Sequence, residues 1–189
     1  MASSVRARAI ILPGNGCTDI RRSNWYQYIE SKLIQRKDLV YEVNMRTMPD
    51  PYEAKETEWI PFIINDLGVD ENTIVIGHSS GAVAALRLLE THKVLGVVLV
   101  SVCHTDLGEE SERVSGYYSR PWDWNKIRSN AQWIIQYHSE DDPFIPREEA
   151  DFVASQIQSD YTCFTNKSHF FTSRDVKHMV SDIERKLQL

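Results

Sequence analysis

Short apolar runs alternate along this chain with longer amphipathic stretches. Residues 7–12 (ARAIIL), 39–45 (LVYEVNM), 73–76 (TIVI), 94–102 (VLGVVLVSV), 131–138 (AQWIIQYH) and 161–166 (YTCFTN) have strand length and are rich in β-branched and aromatic side chains. Between them the apolar positions fall at helical spacing. Trp25, Tyr28, Ile29, Leu33 and Ile34 mark a helix over 24–34, and Trp59, Phe62, Ile63 and Leu67 mark one over 56–67. Further helices are expected from Ala82 to about Leu89, over 147–158 and over 174–187. Pro61 should sit near the first turn of the second helix or kink it. Six strands alternating with helices predict an α/β protein, its parallel sheet covered by helices on both faces. Residues 94–102, apolar on both faces, belong at the centre of that sheet.

One segment breaks the rhythm. Residues 104–130 are polar and interrupted by Gly108, Gly116 and Pro121, yet they concentrate Tyr117, Tyr118, Trp122 and Trp124. They leave the C-terminal end of the central strand, the side on which parallel α/β sheets bind ligands. We read them as a short cap, with Tyr117, Trp122 and Trp124 as candidate pocket-lining residues, against the plainer reading of a packed excursion. No repeat, low-complexity tract or linker divides the chain, so 1–189 is read as a single domain.

Composition narrows the classes. Hydrophobic residues make up 42% and charged residues 25% of the 189 positions, ordinary for a globular protein with its own core. With 27 acidic against 21 basic residues the net charge is −6, which argues against general nucleic-acid binding. No apolar run reaches the length of a membrane span, and residues 1–8 lack the apolar stretch of a secretory signal. Cys17, Cys103 and Cys163 are odd in number and lack C-x-x-C spacing, which suggests reduced thiols in the cytoplasm or nucleus. Cys17 is read as a bystander, since no base or cation near it is visible in the sequence.

The candidate chemistry centres on Gly77-His78-Ser79-Ser80-Gly81, placed between a strand and a helix. The bare G-x-S-x-G spacing arises by chance in roughly one chain in twenty of this length. Its context is what a nucleophile elbow requires: a strand reversing into a helix, glycines where neighbouring side chains would clash, and Ser79 projecting at the strand's end. The alternative is a glycine-rich turn closing an ordinary βα unit. The Ser80 amide would lie at the positive end of the following helix. Pro13-Gly14-Asn15-Gly16 after the first strand could supply a second oxyanion donor, or be a plain βα turn.

A serine nucleophile needs a base, and the base needs a group to orient it. For an elbow serine the acid and then the histidine should follow, each on a loop after a later strand. His169, after the sixth strand, is the histidine with that order and position; His78, inside the elbow, is read as packing or pocket lining, and His92 and His178 as helical surface. Asp142, which precedes Pro143, is preferred to Asp141, which would then serve the turn. No metal-ligand cluster or nucleotide fingerprint is present, so no cofactor is expected.

PGNG, GHSSG, LVS with a following DLG, GYYSRPWDW, DDPFIP and SHF run in order from Pro13 to Phe170. Together they resemble the retinoblastoma-binding protein 9 family of serine hydrolases over nearly the whole chain. The resemblance implies a minimal α/β-hydrolase fold: a six-stranded parallel sheet in the order 2-1-3-4-5-6 with helices on both faces. It places the catalytic triad on Ser79, Asp142 and His169 and the oxyanion hole on the amides of Asn15 and Ser80. It further implies a hydrolase of small esters or amides, aminopeptidase-like activity included, working through an acyl-enzyme. The family's vertebrate member carries an L-x-C-x-E segment associated with the retinoblastoma protein. Here the stretch reads Leu67-Gly68-Val69-Asp70-Glu71. Val69 replaces the cysteine, which puts that partner in doubt. The alternative reading is an interaction module on a hydrolase scaffold with weak or vestigial catalysis.

Overall fold

The computed structural model describes residues 6–188. Residues 1–5, part of the stretch read for a secretory signal, lie outside the described residues. The elements run β1 (Ala7–Leu12), α1 (Tyr26–Ile34), β2 (Val40–Asn44), α2 (Glu56–Asn65), β3 (Thr73–His78), α3 (Ser80–Leu89) and β4 (Val94–Val100). There follow α4 (Glu110–Ser115), α5 (Trp124–Ser129), β5 (Ala131–Ser139), α6 (Arg147–Ile157), β6 (Asp160–Phe164) and α7 (Met179–Leu187). The six strands form one parallel sheet in the order β2-β1-β3-β4-β5-β6. Chain order reverses at β1 and β3, the switch point where the loops at the C-terminal strand ends can part and leave a crevice.

Strand periodicity divides the apolar residues between two cores. Ile10, Leu12, Val75, Val97 and Leu99 face α2, α3 and α6, meeting Trp59, Ile63, Val83 and Val153. Their alternates Ala9, Ile11, Ile74, Ile76, Val98 and Val100 face Trp25 just before α1, Tyr26, Ile29 and Leu33 of α1, and Met179 and Ile183 of α7. Each large side chain so buried contributes about 1.5–3 kcal/mol. The central strands β3 and β4 are apolar on both sides because both sides are covered.

Two boundaries depart from the periodicity, each for a local reason. β4 ends at Val100 rather than 102 because Ser101 turns the chain at φ 51°. The last helix begins at Met179 rather than 174. Before it, Asp175 accepts from the amide and hydroxyl of Thr172, and these side-chain bonds hold a turn in place of a helix. Pro61 is the sixth residue of α2, just past its first turn, and there the helix forgoes the bond back to the Thr57 carbonyl. Leu67 of the L-x-C-x-E-like stretch is buried, and Val69 packs against the core.

No helix among the described residues is long and apolar enough to cross a membrane.

Candidate active site

Ser79 joins β3 to α3 at φ 54° and ψ −121°, a backbone conformation that non-glycine residues rarely hold. Its surroundings impose it. A Cβ on Gly77 would fall 2.7 Å from Ala82 Cα, and one on Gly81 would fall 2.6 Å from the Pro13 carbonyl oxygen. The two glycines therefore let α3 start directly behind the strand and against the end of β1. The Ser79 amide donates to the Val100 carbonyl at 2.9 Å, fixing the turn to β4.

Asp142 and His169 come from the loops after β5 and β6. The His169 Nδ1–H donates to Asp142 at 2.8 Å to one carboxylate oxygen and 3.0 Å to the other. Ser101 Oγ (2.8 Å) and the amides of Phe144 (3.0 Å) and Ile145 (3.2 Å) also donate to this carboxylate. Burial alone would push the Asp142 carboxyl up; its bond to His169, the charge of that ring and the other donors outweigh burial and hold it below the usual carboxylate range. With Nδ1–H donated to Asp142, Nε2 is the remaining ring nitrogen, an acceptor whenever the imidazole is neutral. Asp141 lies apart from the ring, taking the Ser139 hydroxyl at 2.5 Å and the Ser168 amide at 2.8 Å, and so ties the two loops together.

Ser79, Ser80, Asn15 and His169 line one cavity of about 600 Å³. Among the described residues Ser79 Oγ has no hydrogen bond to His169; that contact often closes only with substrate in place. The Asn15 amide points to Ser80 Oγ at 3.4 Å, and Gly14 approaches so closely that a Cβ there would stand 3.2 Å from Ser79 Cβ. The PGNG turn thus lies directly against the serine.

His78 lines the cavity floor but is 1% exposed. Its Nε2–H donates to the His169 carbonyl at 2.9 Å, and its Nδ1 accepts from the Tyr26 hydroxyl at 2.7 Å. The remaining histidines stand elsewhere. His138 is fully buried in β5, and His104 pairs with Glu149 at 2.7 Å. His178 is not helical surface: its ring packs perpendicular to Tyr137 at 4.6 Å, because the chain turns there before α7 begins.

The cap aromatics do not line this cavity. Tyr117 is 1% exposed and belongs to the core under α3, while Trp122 and Trp124 stack on each other with centroids 5.5 Å apart. Arg87, buried on α3, accounts for their placement. Its guanidinium donates to the carbonyls of Tyr117, Arg120 and Pro121, pairs with Glu90 at 2.6 Å, and lies 3.6 Å from the centroid of the Trp122 ring. The cap backbone is drawn down onto α3, and its aromatic rings follow.

Residues unforeseen from the sequence take the lining positions. Phe144 and Phe171, 61% and 44% exposed, flank the His169 ring at centroid distances of 5.0 and 5.6 Å. Their signal was an aromatic residue beside each catalytic-loop candidate, in DDPF and SHFF. The cap side contributes Cys103, Leu107, Glu109 and Glu112. The Tyr118 hydroxyl donates to Glu112 at 3.1 Å and lies 3.1 Å from Cys103 Sγ. Burial pushes the Cys103 thiol up, so it stays protonated beside the cavity.

Comparison with known proteins agrees with this architecture. The serine hydrolase family model matches residues 9–179. The chain is 46% identical over 163 residues to the serine hydrolase RBBP9 of Rattus norvegicus, covering 86% of this chain and 87% of that one. The ydeN gene product of B. subtilis superposes with a TM-score of 0.80 at 22% identity, covering 96% of this chain and 98% of the other. Est1E from Butyrivibrio proteoclasticus superposes with a TM-score of 0.73 at 11% identity, covering 97% and 89%. The latter two likenesses speak for the fold. The family model over residues 9–179 and the 46% identity to RBBP9 show that the chain belongs to the retinoblastoma-binding protein 9 family of serine hydrolases.

Proposed function

We propose that the protein hydrolyses a small ester or amide through Ser79, His169 and Asp142 by way of an acyl-enzyme. The observation that carries this reading is the convergence of a strained elbow serine and an Asp142–His169 pair on one cavity. His169 Nε2 takes the Ser79 proton as Oγ attacks the carbonyl carbon. Asp142 stabilises the imidazolium that forms. The amides of Asn15 and Ser80 hold the tetrahedral oxyanion, the second at the positive end of α3. His169 then protonates the leaving group, and water releases the acyl group by the same route. The machinery is made of side chains and amides alone, and the reading calls for no cofactor.

Phe144 and Phe171 favour an apolar or aromatic group beside His169. The carboxyl groups of the lining, Glu109 and Glu112, the second pushed up by burial, disfavour anionic substrates. Esterase, amidase and aminopeptidase activities share this chemistry, and a panel of neutral, aminoacyl and anionic p-nitrophenyl esters and anilides separates them. The three free cysteines support a reducing compartment, cytoplasm or nucleus. Leu67 is buried where the retinoblastoma-binding reading needs it exposed, which argues against an interaction module as the main role.

A fluorophosphonate probe should label Ser79. Ser79→Ala should abolish labelling and lower ester turnover by about 10³-fold or more. Labelling that persists in the alanine variant would sink the assignment.

A further inference from the structure

Tyr26 and His78 have no part in the steps above, yet they join the loops that carry the site. The Tyr26 hydroxyl is bonded to the Gly14 amide at 3.0 Å, Asn24 Nδ2 at 3.1 Å and His78 Nδ1 at 2.7 Å, and His78 Nε2 to the His169 carbonyl at 2.9 Å. Tyr26 is 0% and His78 1% exposed.

One proton arrangement satisfies all of these bonds. The His169 carbonyl can only accept, so His78 carries its proton on Nε2. In the neutral ring Nδ1 is then an acceptor, so the Tyr26 O–H donates to it. The two lone pairs of the Tyr26 oxygen receive the Gly14 amide and the Asn24 amide. Burial first, and then the neighbouring His169, depress His78 to about 3, so the ring stays neutral and the arrangement holds across the working pH range.

We propose that Tyr26 and His78 are positioning residues which set the Gly14–Asn15 turn and the His169 main chain against Ser79. The inference rests on the serine hydrolase reading and deepens it. Asp142 fixes the His169 ring at Nδ1, and His78 fixes the same residue at its carbonyl, so the base is held at two points. Tyr26 carries the constraint on to Gly14, the neighbour of the oxyanion donor Asn15. His78 also precedes Ser79 in the chain, so nucleophile, base and oxyanion turn share one tether. A neutral tether suits this place, because a buried charge beside the base would change its basicity along with its position.

The test uses the purified full chain, a p-nitrophenyl ester and the fluorophosphonate probe. Tyr26→Phe keeps the ring and removes the hydroxyl. It should lower kcat by about 10- to 100-fold, the range expected of a displaced catalytic group, with KM within about twofold. His78→Leu should do the same, and the double variant should fall little further, because both break one tether. His78→Gln, whose amide N–H can reach the His169 carbonyl, should recover at least about fivefold over His78→Leu if that donor is what matters. Wild-type kcat in Tyr26→Phe with Ser79 still labelled would overturn the tether alone. So would losses that multiply in the double variant, or no recovery in His78→Gln. A wild-type chain that takes no label at Ser79 would overturn the hydrolase reading and the tether together. Should Tyr26→Phe fail to fold, the His78→Leu and His78→Gln pair decides.

Discussion

Two polar networks flank the β3–α3 unit: one is charged and runs from buried Arg87 out to exposed Arg120, the other is buried and neutral. On the cap side Arg87, Glu90, Arg120 and Glu56 form a chain of ion pairs: Arg87 to Glu90 at 2.6 Å, Arg120 to Glu56 at 2.6 Å and to Glu90 at 3.4 Å. On the site side Gly14, Tyr26, His78 and the His169 carbonyl are linked without a formal charge. The difference follows from position. Arg87 lies eight residues beyond Ser79, about 12 Å along the helix, where its field is compensated by Glu90 and far from the reacting atoms. Beneath Ser79 an uncompensated charge would act on the proposed proton transfer itself. Charge therefore anchors the cap, and neutral hydrogen bonds tie the loops beneath Ser79.

The sharpest way to break this contrast is Arg87→Leu. It removes the buried partner of Glu90, leaving it Arg120 and the Asp123 amide, and takes the donor from three cap carbonyls; it should cost about 3 kcal/mol in denaturant unfolding, while kcat falls far less than in Tyr26→Phe. A loss below about 1 kcal/mol would show that apolar packing, and not Arg87, anchors the cap.

The neutral network should reveal itself through pH. His78 is depressed from 6.5 to about 3, so below pH 6.5 the unfolded chain takes up a proton that the folded chain refuses. The stability from the neutral ring is complete above 6.5 and is lost progressively as pH falls toward about 3, at up to about 1.4 kcal/mol per pH unit. His138 and His178, also lowered by burial, add to the trend. Unfolding at pH 7, 6 and 5 should show the decline, and His78→Gln should flatten it. An unchanged slope in that variant would mean that His78 is not the neutral element.

A smaller effect separates the two groups of aromatics. Replacing Phe144 and Phe171 together by alanine should lower kcat/KM for an aromatic ester about tenfold, mainly through KM, with each exposed site changing stability by no more than about 0.5 kcal/mol. Smallest of all, Trp124→Ala should leave KM within about twofold, since that ring lies outside the cavity lining. A larger rise in KM would return the cap aromatics to the substrate path.

Much of this molecule is legible in the chain, and the limits are instructive. The strands and most helices lie within a few residues of where periodicity puts them. The G-x-S-x-G turn is local, since its glycines and serine impose the elbow on five consecutive residues. Asp142 and His169 could be singled out by order and loop position. Tyr117, Trp122 and Trp124 could not be read correctly: an aromatic residue in a loop says that something covers it, and here the cover is Arg87, an arginine that periodicity puts on a helix but cannot show to be buried. Ser101 gave no sign of turning its hydroxyl onto Asp142, because that depends on a positive φ at the end of β4.

The sequence by itself determined the sheet and its helices, and the candidate residues with the order in which they follow one another. Period and turn chemistry act over a few neighbouring residues, so they can be read in place. Tertiary structure alone decided which side chains meet. Tyr26 reaches His78 across 52 residues and His78 reaches His169 across 91. No local pattern encodes such contacts, because a buried face records that it is covered and not what covers it. The charged anchor under the cap and the neutral tether under Ser79 both arise at that second level.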